Sequence, residues 1–167
     1  GENPGYLKYS AAHSTIVINN TNISEIKNGD INKTFPKQVI FETKDNADYI
    51  SLCGSHNGYL KNYRKICKRE LTINKKRSLF IGEDTIISSS SYIEKTVFHI
   101  RFHLMPGVST TVTKNMKNII IKTKKNNIWM FKSNNKIMIE KSIYVQNDKT
   151  TESSQIVIGG ITSLLKN

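Results

Sequence analysis

The sequence predicts an all-β fold, an antiparallel two-sheet β-sandwich of jelly-roll-like (supersandwich) type. Apolar and polar residues alternate with a period of two through almost every segment, as in strands with one buried face. No segment sustains the three-to-four-residue period of a helix. Turn-forming residues separate the alternating segments at short intervals. Because about ten short strands are more than one flat sheet holds comfortably, two stacked sheets are expected.

Each predicted strand is an alternating segment rich in β-branched or aromatic residues, the types favoured in strands. In chain order the segments are 14–19, 37–43, 48–56, 63–73, 77–87, 96–104, 108–113, 118–123, 127–132, 136–145 and 154–161. The predicted turns between them are KNGD (27–30), HNGY (56–59), MPGV (105–108), KKNN (124–127), SNNK (133–136) and QNDK (146–149). Their asparagines tolerate the left-handed backbone conformations that tight turns require. Because there is no internal repeat, residues 1–167 are predicted to form a single domain.

The composition is that of a globular protein, and no apolar run reaches the ~20 residues that span a membrane, so membrane insertion is not expected. The formal charge of +12 favours a polyanionic partner. A Lys/Asn/Ile excess of this kind is equally what an AT-rich coding sequence would produce. Nucleic acid is not the expected partner, because no RRM, KH, zinc-finger or helix-turn-helix pattern accompanies the charge.

The two cysteines, Cys53 and Cys67, leave the redox compartment open. A hairpin loop centred near Leu60 would place them opposite one another, whereas a turn centred on Asn57 and Gly58 would separate them. The sequence favours two free buried thiols over a disulfide.

The segment TVFHIRFHL (96–104) carries the most unusual pattern. Alternation places Phe98, Ile100, Phe102 and Leu104 on one face and Val97, His99, Arg101 and His103 on the other. Two imidazoles that flank a guanidinium could line a groove for carboxylate or sulfate groups. The alternative is a solvated outer face with cross-strand salt bridges.

Two further stretches hold candidate residues. His13 stands just before the first strand, but a zinc site needs three or four converging ligands, which spacing alone does not show. Residues 58–77 mix tyrosines with basic residues and are interpreted as a polyanion-binding strip that includes Tyr59 and Arg64. The lysines of that stretch could equally protect an edge strand from aggregation.

The chain resembles the C-terminal β-domain of the heparinase II/III-like family of polysaccharide lyases. The resemblance lies in four stretches in the family's order and covers nearly the whole chain. They are AAHSTIVINNTN (11–22), SHNGYLKNYRKICKREL (55–71) leading to LFIGEDTI (79–86), IRFHLMPGV (100–108), and NIWMF (127–131) followed by SQIVIGGI (154–161).

The resemblance implies a lyase that cleaves uronate-containing, glycosaminoglycan-like polysaccharide by β-elimination. In such enzymes an N-terminal helical toroid precedes the β-sandwich and supplies a catalytic tyrosine. His13 is similar to a zinc ligand of the family, while the other ligands and a catalytic histidine belong to an upstream His-x-His region. Arg64, Arg101, His103 and Tyr59 become candidate substrate contacts. The resemblance also implies a periplasmic or cell-envelope location.

The sequence departs from the family at several points. The toroid and the His-x-His region lie outside the 167 residues, so no catalytic residue is assigned and the isolated chain is expected to be inactive. Cys67 and Met105 stand where relatives often carry histidine, which places the metal site in doubt. The alternative function is a non-catalytic carbohydrate-binding or structural β-sandwich.

Overall fold

The structure, a computed structural model, describes residues 5–28, 30–31, 35–89 and 95–162, with residues 30 and 31 described by their backbone alone. Two short 3-10 helices, Gly5–Lys8 and Ser10–Ala12, begin the described chain, and one α-helix, α1, spans Leu60–Tyr63. Within the described ranges, no helix has the length and apolar character needed to cross a membrane. The strands are β1 Ile16–Ile18, β2 Ile26–Lys27, β3 Asp30–Ile31, β4 Val39–Asp45, β5 Tyr49–His56, β6 Lys65–Asn74, β7 Leu79–Ser88, β8 Val97–His103, β9 Ser109–Val112, β10 Asn118–Lys122, β11 Ile128–Lys132, β12 Ile137–Gln146 and β13 Lys149–Ile161.

The predicted all-β antiparallel fold is confirmed, and each of the eleven predicted segments contains a strand. The ends differ by a few residues, most at β13, which begins at Lys149 because it continues the hairpin with β12. The sequence pattern missed β2, β3 and α1. These elements are two to four residues long, too short to show a period.

The described chain divides into two compact units. The first contains the two 3-10 helices, β1 and β8 to β13, and the second contains β4 to β7 and α1. The short β2–β3 ladder lies where the chain passes from one unit to the other. The single domain predicted for residues 1–167 stays a prediction.

The first unit is a β-sandwich. Its four-stranded sheet has the order β1-β8-β13-β12, and its three-stranded sheet has the order β11-β10-β9. The rings of Phe102 on β8 and Phe131 on β11 meet edge to face at 5.6 Å, which joins the two sheets. Ile119, paired with Phe131, is fully buried on the same side. The larger sheet contributes a row of buried isoleucines to this core, namely Ile16, Ile18, Ile100, Ile137, Ile156 and Ile158.

The second unit is a meander in which β4, β5, β6 and β7 pair in chain order. Helix α1 connects β5 to β6 and ends at Arg64, whose φ of 52° lies in the left-handed region. The Arg64 N–H donates to the carbonyl of Leu60 at 3.0 Å and closes the helix.

Asparagines occupy the left-handed positions of several turns, as predicted. Asn28 and Asn126 have φ of 51° and 61°. Asn147 and Asp148 form the two-residue loop between β12 and β13, with φ of 49° and 59°. Two consecutive positive φ values define the type I′ turn, whose twist matches that of the flanking strands.

Both cysteines are free thiols, as the sequence favoured, but of the two only Cys67 is buried, and Cys53 is partly exposed. In the β5–β6 register Cys53 pairs with Glu70, while Cys67 pairs with His56. The thiols are therefore three pairs apart and project from opposite faces of the sheet. The loop that holds α1 sets this register, which corresponds to neither of the two turn centres that the sequence suggested.

Candidate functional site

Strand β8 has the two faces that its sequence predicted, but its polar face is not a solvated outer face. The register places Val17 of β1 beside His99, and Val157 of β13 beside Arg101. These valines are only 4% and 0% exposed. None of the ion pairs formed within the described part of the chain includes Arg101. Within the described residues Arg101 therefore does not form the cross-strand salt bridge of the second interpretation. Neither His99 nor Arg101 lines the two cavities described below, so a groove along this face stays a prediction.

The polar face holds an unusual set of unpartnered groups. Within the described ranges, three buried side-chain polar atoms lack a hydrogen-bond partner, and all three lie on this face of β8 and β13. They are Nδ1 of His99, Nη1 of Arg101 and Oε1 of Gln155. Buried polar groups are almost always paired, because an unpaired one costs about 1–3 kcal/mol. We call these three residues the polar strip; they lie on the two central strands of the four-stranded sheet.

His103 ends the polar face beside Gln155, with which it pairs across β8 and β13. Its Nε2–H donates to the carbonyl of Ala11 at 3.2 Å, and its Nδ1 accepts from the Ser142 hydroxyl at 2.8 Å. Burial lowers the pKa of His103, and the nearby His13 and Arg101 lower it further, although backbone hydrogen bonds oppose the shift. The ring is therefore neutral at pH 7, in keeping with one donating and one accepting nitrogen.

His13 follows the second 3-10 helix and is exposed. Its Nε2 forms a hydrogen bond of 2.8 Å to the carbonyl of Leu7, which ties the first 3-10 helix to the segment between the second 3-10 helix and β1. No group of three or more His, Cys, Asp or Glu side chains that could hold a metal ion occurs among the described residues. The residues present therefore do not fit a zinc site by themselves, and His13 as a ligand stays a prediction.

A cleft of about 380 Å³ opens beside His103. We call it the tyrosine cleft, because Tyr6 and Tyr9 of the N-terminal segment line it and are 40% and 43% exposed. Its remaining lining residues are Ala11, Ala12, His103, Lys141, Ser142, Ile143 and Gln155. Sequence reasoning found only His103 in this set. For Tyr6 and Tyr9 the available signal was the pair of tyrosines in GYLKYS, three residues apart and just before AAHST.

Tyr59 and Arg64 lie in the second unit, on either side of helix α1. Tyr59 is 1% exposed, and its ring is 5.8 Å from that of His56 and 6.3 Å from that of Tyr63. These contacts are typical of a residue packed in a core, so Tyr59 would have to become exposed before it could contact a substrate. Arg64 is exposed, and its carbonyl accepts bonds from the backbone and the hydroxyl of Ser89. Their roles as substrate contacts stay predictions.

A larger cavity, of about 560 Å³, lies near the turn after β8 and is lined by residues that include Met105, Lys124 and Tyr144. The stem of Lys124 lies over Gly107, whose φ of +78° and crowded Cβ position exclude most other residues. No unpartnered buried polar atom of the described chain belongs to its lining. The polar strip and the tyrosine cleft are therefore better candidates for a ligand-binding site than this larger cavity.

Comparisons with known proteins agree with this architecture. Residues 2–163 match the family model described as heparinase II/III-like, C-terminal. Among solved structures, the chain is similar to the heparan sulfate lyase HepC from Pedobacter heparinus, with a TM-score of 0.72 and 14% sequence identity. The match covers 93% of this chain and 22% of that lyase. No curated protein matches at a significant level.

Proposed function

Because this chain belongs to the heparinase II/III-like family as its C-terminal domain, we propose that it is the β-sandwich part of a polysaccharide lyase. The proposed substrate is a uronate-containing, glycosaminoglycan-like polysaccharide. The reaction is β-elimination, in which a base removes the proton α to the uronate carboxylate and a double bond forms between the α and β carbons. The bond from the β carbon to the neighbouring sugar oxygen breaks, and that oxygen takes up a proton and leaves as a hydroxyl. The proposal includes a helical toroid of the same protein, since the chain spans only 22% of the similar lyase.

In this proposal the chain contributes binding and charge rather than the base. The α-proton becomes acidic only when the developing negative charge on the uronate is neutralised. The guanidinium of Arg101 is permanently charged and suited to bidentate pairing with a carboxylate. We therefore assign Arg101 to the carboxylate or sulfate groups, with His103 as a neutral hydrogen-bonding neighbour. The isolated chain is expected to be inactive.

The observation that carries the proposal is the set of unpartnered atoms on the polar strip. Arg101 Nη1 can only donate, whereas Gln155 Oε1 can only accept. An acidic sugar offers both complements, a carboxylate to the guanidinium and a hydroxyl to the amide oxygen. Because both atoms are buried, the proposal requires that they become exposed when the glycan binds, as it does for Tyr59. A purely structural sandwich would gain stability from apolar residues at these positions.

Zinc and location remain further parts of the proposal. His13 would supply one nitrogen ligand, and the remaining ligands would have to come from outside the described residues. No catalytic step is assigned to the metal. A periplasmic or cell-envelope location follows from the family resemblance.

A paired chromatography experiment tests the function. We expect the chain to elute from immobilised heparin at higher salt than from a sulfonate cation exchanger, since a shaped site adds to the general attraction of its charge. Arg101→Gln should reduce the difference between the two columns. The control Arg77→Gln, at an exposed arginine, should lower retention equally on both. Elution at the same salt from both columns would argue against a glycan site, and a thermal melt of each variant shows whether it is folded.

A non-catalytic carbohydrate-binding sandwich would pass that test as well. The two functions separate when the full-length protein is incubated with heparan sulfate. A lyase generates the ultraviolet absorbance of an unsaturated uronate, whereas a binding domain generates none.

A further inference from the structure

We propose that the tyrosine cleft is a subsite for one acidic sugar residue of the glycan, with Tyr6 and Tyr9 as its ring platform and Lys141 as its anion contact. The inference rests on the proposed function and extends it to residues that the sequence did not indicate. The acidic group is a hexuronate carboxylate or a sulfate, which share the chemistry that an ammonium group recognises.

The two tyrosines are placed as a sugar platform. Tyr6 lies in the first 3-10 helix and Tyr9 between the two 3-10 helices, and both keep about two fifths of their surface exposed, at 40% and 43%. The backbone carbonyl of Tyr6 accepts from the N–H of Tyr9 at 3.1 Å, so a single turn of chain fixes their spacing. Tyrosine combines a large apolar surface with a polar tip, which suits the apolar face and the hydroxyls of a pyranose ring.

The segment that carries them is anchored to the sheet. Ala11 accepts a hydrogen bond from His103, and the backbone N–H of Ser10 donates to Asn22 at 3.0 Å. These bonds hold the tyrosines beside the end of β8 before any ligand arrives. Pre-organisation of this kind lowers the entropy cost of binding.

Gln155 gives the cleft an unfilled hydrogen-bonding position. Its side chain is 9% exposed, and its Nε2 donates to Glu140 Oε2 at 3.2 Å, which fixes the orientation of the amide. Oε1 then has no partner within the described chain. Neighbouring His103 does not fill the position, because its two nitrogens bond Ala11 and Ser142. A sugar hydroxyl is a donor of suitable size for this acceptor.

The charge of the cleft favours an acidic rather than a neutral sugar. Lys141 is the only lysine or arginine among the side chains that line the cleft. Lys141 is exposed and can reach an anionic group at the opening. Its ammonium is a compact charge with three donors, which suits either a carboxylate or a sulfate.

The test measures binding of heparan sulfate hexasaccharide to the chain by calorimetry. We expect Tyr9→Ala to weaken binding by about two- to tenfold, the range for loss of one aromatic contact. Lys141→Gln should weaken it by about two- to fivefold and reduce its salt dependence. The controls are Tyr49→Ala, at a tyrosine 36% exposed on β5, and Lys132→Gln, at the end of β11. Tyr49→Ala should bind like the unaltered chain, and Lys132→Gln should lose only the small general attraction of one exposed charge, less than Lys141→Gln loses.

An unsulfated heparosan hexasaccharide distinguishes the two acidic groups. If Lys141→Gln weakens heparosan and heparan sulfate equally, the contact is the carboxylate, and if it weakens only heparan sulfate, the contact is a sulfate. The subsite alone is overturned if the chain binds but Tyr9→Ala and Lys141→Gln match their controls. The proposed function fails, and the subsite with it, if the unaltered chain binds neither hexasaccharide. Thermal melts of all four variants show that each remains folded.

Discussion

The protonation of His103 links the candidate site to the stability of the fold. Burial lowers the pKa of His103 below the ordinary value of about 6.5. The unfolded chain therefore binds a proton in a pH range where the folded chain does not. It follows that the free energy of unfolding falls as the pH drops through about 6.5, and levels off below the lowered pKa. Burial lowers the pKa of His56 as well, so two histidines act in the same direction.

We predict that the free energy of unfolding falls less between about pH 7 and pH 5 in His103→Gln than in the unaltered chain. His56 should account for part of the decrease that remains in the variant. Urea unfolding at a series of pH values measures this slope. Ser142→Ala is the matched control, because it removes the partner of Nδ1 but keeps the titrating ring. Identical slopes for His103→Gln and the unaltered chain would contradict the assigned pKa.

The two thiols should differ in reactivity. The pKa of Cys67 is raised to about 12, mainly by burial and also by the nearby Asp84, while Arg69 partly opposes the shift. Cys53 is only partly buried. Because the thiolate is the reactive form, we predict that a chromogenic disulfide reagent at about pH 8 labels Cys53 and spares Cys67 in the folded chain. Cys53→Ser should then show almost no labelling until denaturant is added. Equal rates for both thiols would refute the prediction.

At the scale of elements, the packing of the Phe98 ring of β8 against β13 depends on a glycine. Gly160 pairs with Phe98, and a Cβ at Gly160 would lie 2.6 Å from Cζ and 2.9 Å from Cε1 of that ring. A side chain there would force the aromatic ring away from the sheet. Gly54, in β5, is different, because a Cβ there would have no atom within 4 Å.

We predict that Gly160→Ala destabilises the chain by about 1–3 kcal/mol, as overpacking does, while Gly54→Ala changes stability little. Denaturant unfolding measures both. The double variant with Phe98→Leu should lose less stability than the sum of its single variants, because the smaller side chain relieves the contact. Strict additivity would show that the Phe98 ring is not the source of the cost.

Most elements could be predicted because alternation is a local property of the chain. The strands around Ile16, Phe102 and Ile156 follow from their own sequences. Helix α1 could not be predicted, since it is four residues long and depends on Arg64 adopting a left-handed conformation that nothing in its residue type requires. The register of Cys53 and Cys67 depended on that helix and could not be predicted either.

The candidate site was predictable where it lies along one strand and not where it joins distant segments. The common face of His99, Arg101 and His103 followed from alternation alone. Whether that face was buried depended on Val17 and Val157, which belong to other strands. Tyr9 lies more than 100 residues before Lys141 and Gln155 in the sequence, so a local pattern does not show that the three line the same cleft.

At the scale of the whole molecule, the β4–β7 sheet has two unlike faces. The register places Glu42, Glu70 and Glu83 in one row of the first face. The second face carries a set of apolar side chains that remain well exposed. They are Val39 at 68%, Phe41 at 66%, Leu52 at 39%, Ile73 at 47% and Phe80 at 53%. A sheet ordinarily buries its apolar face, so we expect this one to bind apolar probes and to promote self-association.

We therefore predict that replacing Phe41, Ile73 and Phe80 together by threonine lowers the fluorescence of an apolar dye added to the chain. The triple variant should also stay monomeric to a higher protein concentration, as measured by light scattering. Threonine retains strand propensity, so the fold should persist. The matched control replaces Ile40, Leu79 and Ile81, which are 46%, 44% and 52% exposed and lie on the face with the glutamates. Its effect should be clearly smaller, because nearby charges already interrupt that apolar surface. An equal effect of the two triple variants would mean that total apolar exposure, rather than one continuous face, governs how the chain associates.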